Sequence, residues 1–221
     1  MATARWRKEP FRAFFDTIAK EVTARKKLRE SGDHTVTEVV NEEQNKAFDK
    51  ASSKVILLQV EIDEVCVEEF PTYEHLNQLK YADAVMKEAL RLYPIAAFAS
   101  ARTCMETTTL GDYTIEAGTV VQADVLSVHY DKTLWEEPDK FKPERWLENT
   151  SNPAVPQWFA FGGGPRLCIG LRLAYLEEKQ ALVYILRKYN ILACDQTEKE
   201  LKMVGGSVLN PESVTVKLEL R

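Results

Sequence analysis

Hydrophobic positions along this chain follow two rhythms. Phe11, Phe14, Phe15, Ile18 and Val22 recur at helical spacing, and the basic run Arg25, Lys26, Lys27 and Arg29 continues that pattern until Ser31-Gly32-Asp33 stops it. Residues 34–53 carry few large apolar side chains and read as either a polar helix or a linker. Residues 55–67 are amphipathic, and Pro71 marks a new element. Ala82, Val85, Met86, Ala89, Leu90 and Tyr93 then lie three and four residues apart, which predicts a helix over 79–93. Pro94 ends it, because proline lacks a backbone donor and restricts the residue before it.

The second rhythm is shorter. Residues 101–109, 113–115 and 119–125 are rich in Thr and Val and are interrupted at Gly111 and Gly118, as expected of strands in a small sheet. Residues 131–135 suit a single helical turn. Residues 138–165 contain five prolines and no sustained period, which predicts an ordered loop. The strongest helical pattern covers 171–189. Finally, Val214, Val216, Leu218 and Leu220 alternate with Thr215, Lys217 and Glu219, the pattern of a terminal strand with one buried face. The predicted fold class is mainly α with a small β-sheet.

Charge supports a division near residue 55. The first 54 residues hold 12 Lys and Arg against 9 Asp and Glu, and the other 167 hold 17 against 25. The net charge of -5 argues against a nucleic-acid binder that depends on phosphate neutralisation. No apolar run approaches the roughly 20 residues needed to cross a bilayer, and residues 1–10 have no signal-peptide core, so neither a transmembrane segment nor a secretory route is expected. Cysteines 66, 104, 168 and 194 lack zinc-site spacing and are too sparse for a disulfide scaffold, which fits a reducing compartment.

Three constellations could carry chemistry. In the first, Phe161-Gly162-Gly163-Gly164-Pro165-Arg166-Leu167-Cys168-Ile169-Gly170 precedes the strongest predicted helix. Its glycines allow backbone to run close to a flat ligand, and helix-terminal amides together with Arg166 can stabilise a thiolate at Cys168. A lone thiolate suits axial ligation of haem iron better than tetrahedral zinc; a tight glycine turn beside an ordinary buried cysteine gives the same local pattern. No Gly-Lys-Ser or Gly-Lys-Thr follows, as a phosphate loop would require. In the second, Glu88 and Arg91 share a helix face and can pair, as many solvated surface residues do. The third, Phe141-Lys142-Pro143-Glu144-Arg145-Trp146, brings another arginine in a rigid loop; if Arg145 reaches Glu88, one carboxylate holds two guanidiniums.

Together, and in this order, these motifs resemble the cytochrome P450 family, specifically the C-terminal half of an animal microsomal member near the 3A-like and nematode groups. The resemblance covers residues 55–221, the C-terminal haem-binding portion of a partial P450 fold, and leaves 1–54 as a divergent helical and linker segment. It implies that Cys168 is the metal ligand of haem b, that Arg166 and Arg102 contact its propionates, and that Phe161 shields its proximal side. Glu88, Arg91 and Arg145 would form a structural triad, and no catalytic side chain is assigned. His129 matches a family position near the sheet and haem edge, or is a satisfied structural histidine. The implied activity is a monooxygenase that inserts one oxygen atom from molecular oxygen into a small apolar substrate. Electrons would come from NADPH through a flavoprotein reductase that docks near Cys168, with Arg172 and Lys179 as candidate contacts.

The sequence departs from the family pattern where a distal oxygen-activation helix would precede residue 55, since no such sequence is present. The alternative expectation is therefore a truncated, non-catalytic haem-binding or interaction fragment. A thiol redox protein is disfavoured because no resolving cysteine lies near Cys168 in sequence. Full-length relatives would sit on the cytosolic face of the endoplasmic reticulum, and this chain, lacking an anchor, in the cytoplasm.

Overall fold

The computed structural model of the protein describes residues 42–147, 157–206 and 208–221. The stripe expected between Phe11 and Val22 lies outside the described residues. Chain contacts separate residues 1–45 from a unit spanning 46–221.

The helix expected from residue 55 is longer than its apolar stripe: α1 runs Glu42–Val65. A capping box between Thr72 and His75 starts α2 (Tyr73–Gln78), just after Pro71. The next helix, α3 (Lys80–Leu92), has Leu79 at its N-cap and so lacks a side-chain cap of its own. Glu61 of α1 supplies one from a distance. Its two carboxylate oxygens accept from the backbone amides of Tyr81 at 2.6 Å and Ala82 at 2.9 Å. A negative charge at a helix N-terminus satisfies orphan amides and opposes the helix dipole favourably.

Residues 79–82 lock into the main core by this means. That core is built from Leu58 and Ile62 of α1, Cys66 just past its end, Leu76 and Leu79, Tyr81 and Ala82 of α3, and Val183 and Leu186 of α5 (Leu171–Leu186). Helix α5 is shorter than its sequence pattern, because Tyr189 already belongs to a strand.

The expected small sheet is four separate antiparallel two-stranded ladders. Strands β1 (Arg102–Thr103) and β4 (Val120–Val121) pair, and β2 (Thr108–Leu110) forms a hairpin with β3 (Tyr113–Ile115). Gly111 makes that turn at φ 58°. Residues 101–109 are thus two strands with different partners. Downstream, β5 (Tyr189–Leu192) pairs with β8 (Lys217–Leu220), and β6 (Met203–Val204) with β7 (Asn210–Pro211).

Two local expectations change. Residues 119–125 do not continue as a strand: Asp124 accepts from the Ser127 amide at 3.0 Å and caps α4 (Val125–Tyr130), a helix that the Thr and Val content of this stretch does not signal. The terminal strand starts only at Lys217 and buries its alternating apolar set only in part: Val216 and Leu218 are half-buried, whereas Val214 is 59% and Leu220 66% exposed. A two-stranded ladder buries side chains only where another layer covers it, and among the described residues none covers those positions. None of the described helices is long and apolar enough to cross a membrane.

Candidate functional site

The site begins at a buried carboxylate. Glu88 and Arg91 sit one helical turn apart on α3, and both side chains are fully buried. Arg91 Nη2 donates to Glu88 Oε1 at 2.9 Å, and Arg91 Nε donates to Oε2 at 3.0 Å, the bidentate fork that suits guanidinium to carboxylate. Far along the chain, a 3₁₀ turn over Pro143–Trp146 delivers three more donors. The Lys142 amide and Arg145 Nε reach Oε1 at 2.9 and 3.1 Å, and the Trp146 indole reaches Oε2 at 2.9 Å.

Glu88, Arg91 and Arg145 therefore meet at one carboxylate, and the Glu88–Arg91 pair is buried rather than solvated. Burial by itself pushes the Glu88 carboxyl up; hydrogen bonds from Arg91, the Lys142 amide and Trp146 outweigh it and leave the group below the ordinary carboxylate range. Arg91 directs its remaining donors to the carbonyls of His129 and Pro138, both at 2.8 Å, and Lys140 at 3.2 Å. Its guanidinium also lies 5.3 Å from the Trp135 ring centre. The proline-rich loop is thus held by backbone carbonyls as well as by the arginine pair.

A line of rings leads onward. Trp135, Trp146, Trp158 and Phe161 stack edge to face or tilted, with centres 5.5 to 6.0 Å apart, and Tyr175 of α5 packs on Phe161 at 5.6 Å. The Trp158 indole donates to the Lys87 carbonyl at 3.3 Å. The cysteine loop is thereby pinned to both α3 and α5.

Within that loop, Gly162 and Gly164 take left-handed backbone angles, φ 78° and 65°. A 3₁₀ turn spans Gly164–Arg166. The Cys168 amide donates to the Phe161 carbonyl at 3.0 Å, closing the loop just before α5, and the Leu171 amide returns to the Cys168 carbonyl at 3.4 Å. Cys168 itself is exposed, which excludes an ordinary buried cysteine. Ile169 beside it is fully exposed, and Leu167 and Leu173 are about half exposed.

Arg166 and Arg102 are both exposed, and neither makes an ion pair among the described residues; Arg102 donates only to the carbonyl of Ala101, at 2.7 Å. Phe161 is half-buried in the ring stack. Arg172 is exposed. Lys179 is not: its ammonium is buried and bound to Asp83 at 2.7 Å and to the Leu76 carbonyl at 2.8 Å, which removes it as a surface contact for a docking protein.

Sequence reading missed Trp146, Trp158 and the Lys142 amide as parts of this network. Trp146 is adjacent to Arg145 within the motif, but an indole donor is indistinguishable in sequence from a packing aromatic. No cluster of three or more His, Cys, Asp or Glu that could cage a metal exists among the described residues.

A family model for cytochrome P450 matches residues 57–218. The chain is 46% identical to the putative cytochrome P450 cyp-13B1 of Caenorhabditis elegans over 173 residues, which is 78% of this chain and 34% of that protein. It is 44% identical to the putative cytochrome P450 CYP13A10 and 46% to CYP13A3 of the same organism, each over 167 residues, 74% of this chain and 32% of those proteins. The chain spans about a third of the length of these curated relatives.

Proposed function

This chain belongs to the cytochrome P450 family, and from that premise we propose that residues 161–170 hold haem b through the Cys168 thiolate, in a monooxygenase that inserts one oxygen atom from dioxygen into a small apolar substrate. The observation that carries the proposal is an exposed cysteine on a glycine turn, with its own amide fixed to the Phe161 carbonyl just before α5.

The residues present suit the group. A single thiol without rival ligands among the described residues fits axial coordination. Arg166 and Arg102 are guanidiniums left free of carboxylates among the described residues, and a porphyrin brings two propionates. Ile169, Leu167 and Leu173 offer exposed apolar surface beside Cys168 in sequence, suited to a flat hydrophobic ligand. When bound, haem supplies the redox chemistry, with thiolate ligation favouring O–O cleavage.

The chain's own residues do the positioning. Glu88, Arg91 and Arg145 hold the 138–146 loop to α3, and the ring stack passes that rigidity to Phe161. NADPH would act indirectly, through a flavoprotein reductase on the Cys168 side, where Arg172 is the exposed cation that stays available. Placement on the cytosolic face of the endoplasmic reticulum belongs to the same proposal for full-length relatives.

Titration of the chain with haemin, followed by a reduced carbon monoxide difference spectrum, tests the reading. A thiolate-type band that disappears in Cys168→Ala supports it. The same band in Cys168→Ala, or no haem uptake by the unaltered chain, overturns it.

A further inference from the structure

His129 lies in the last turn of α4, is fully buried, and uses both ring nitrogens. The Phe159 amide lies 2.9 Å from Nε2, and an amide can only donate, so Nε2 must present a bare lone pair. On the other side Nδ1 lies 3.0 Å from the Arg91 carbonyl, which can only accept, so Nδ1 must carry the hydrogen. These two partners admit one tautomer and no charge. The His129 carbonyl in turn receives Arg91 Nη1 at 2.8 Å, so residues 91 and 129 are tied twice.

Beyond Phe159 the hydrogen-bonded path runs into the cysteine loop. The Phe159 carbonyl accepts the Gly162 amide at 2.9 Å, and the Phe161 carbonyl accepts the Cys168 amide at 3.0 Å. The Phe159 ring also fills the space beside Gly163, where an added Cβ would meet it at 3.3 Å. Position 159 is therefore the point at which the loop's entry is fixed, and His129 Nε2 holds its amide.

We propose that His129 is a positioning residue for the Cys168 loop: as the neutral Nδ1–H tautomer it bridges the Arg91 carbonyl at the end of α3 to the Phe159 amide and so sets where the loop begins. The groups around it agree. The Arg91 guanidinium approaches from α3, Trp135 meets the imidazole edge to face at 6.4 Å, and the carboxylate on this side, Glu88, is already saturated by five donors. A second positive charge there would have no counter-ion and would expel the Phe159 amide. Burial and the Arg91 charge push the imidazole down to about 4 despite its bond to the Arg91 carbonyl.

This inference rests on the reading of Cys168 as the functional centre, but its test reads the loop in the haem-free chain. Hydrogen exchange is followed at the amides of Phe159, Gly162 and Cys168 in the unaltered chain, in His129→Phe, which keeps a ring and loses both bonds, and in His129→Gln, whose amide offers one donor and one acceptor. His129→Phe should speed exchange at those three amides about tenfold or more, with the central amides of α5 unchanged, and His129→Gln should restore most of the protection. Equal exchange in His129→Phe and the unaltered chain overturns the proposal, as does an equal increase throughout α5. If His129→Phe does not fold, nitrogen chemical shifts of the unaltered His129 ring decide: a hydrogen on Nδ1 upholds the bridge, and one on Nε2 overturns it. Haem uptake is scored separately, so failure of the haem-thiolate reading and failure of this bridge give different results.

Discussion

The Trp146 indole donates to the Glu88 carboxylate at 2.9 Å across 58 residues of sequence. That bond completes a set of five donors around one buried anion, two of them from Arg91 and the others from Lys142, Arg145 and Trp146. A network of this kind is costly to break, because each deletion leaves a charge or donor stranded out of water.

Glu88→Gln should therefore destabilise the chain by about 3–5 kcal/mol, since the fully buried Arg91 loses its counter-charge. Trp146→Phe removes one hydrogen bond to a charged acceptor and should cost about 1.5–3 kcal/mol. Urea denaturation of both variants checks the order. Equal midpoints for Glu88→Gln and the unaltered chain would refute the account of the network.

Acid should weaken the fold in two separate windows. His129 has its folded value lowered to about 4 against an ordinary value of 6.5, so the unfolded chain binds the proton more readily between those limits. Stability is then complete above about pH 6.5 and falls as the pH drops toward 4, by about 3 kcal/mol in all. Glu88 is lowered as well, so its contribution is present above the ordinary carboxylate value and is lost only as the pH falls further, through its folded value. Urea midpoints measured from pH 7.5 to 4 should slope in the unaltered chain and lose most of that slope in His129→Gln.

Glycine replacements should separate strain from collision. Gly164 has φ 65° with open space where a Cβ would sit, so Gly164→Ala incurs backbone strain alone, about 1–2 kcal/mol. At Gly205, φ is 122° and a Cβ would come within 2.0 Å of the Val208 carbonyl oxygen, so Gly205→Ala should cost more. Gly206→Ala meets nothing within 4 Å and should stay within about 0.5 kcal/mol of the original. Thermal denaturation of the three variants reads the ranking directly.

Lys179→Ala should lower stability by about 2–3 kcal/mol, because the buried Leu76 carbonyl and Asp83 lose their shared partner. Arg172→Ala, at an exposed position, should change it by less than about 0.5 kcal/mol. The same urea titration distinguishes the two. A neutral Lys179→Ala would mean that its ammonium is solvated after all.

Much of this architecture is written locally and could be read without coordinates. The spacing of Ala82, Val85, Met86, Ala89 and Leu90 announces α3 as a helix, although only Ala82 and Met86 of that stripe are buried and the fully buried Glu88 and Arg91 lie outside it; Pro71 and Pro94 punctuate the helices on either side, and Gly162 to Gly164 announce the backbone freedom that the cysteine turn uses. The order of the Glu88-Arg91, Arg145 and Cys168 motifs sufficed to indicate the family.

Partnership was decided only in three dimensions. A period of 3.6 or 2 tells which residues share a face but not what covers it, so Lys179 on α5 read as a surface cation and is buried against Asp83, while Val214 and Leu220 alternate as a buried face should and remain exposed. The cap on α3 comes from Glu61, a helix away, and the donors to Glu88 arrive from as far as Trp146. The proton on His129 is fixed by two backbone groups, at Arg91 and Phe159, that lie far from it in sequence. Hydrogen bonds and burial depend on distances through space, and spacing along a chain constrains those only within one helix or strand.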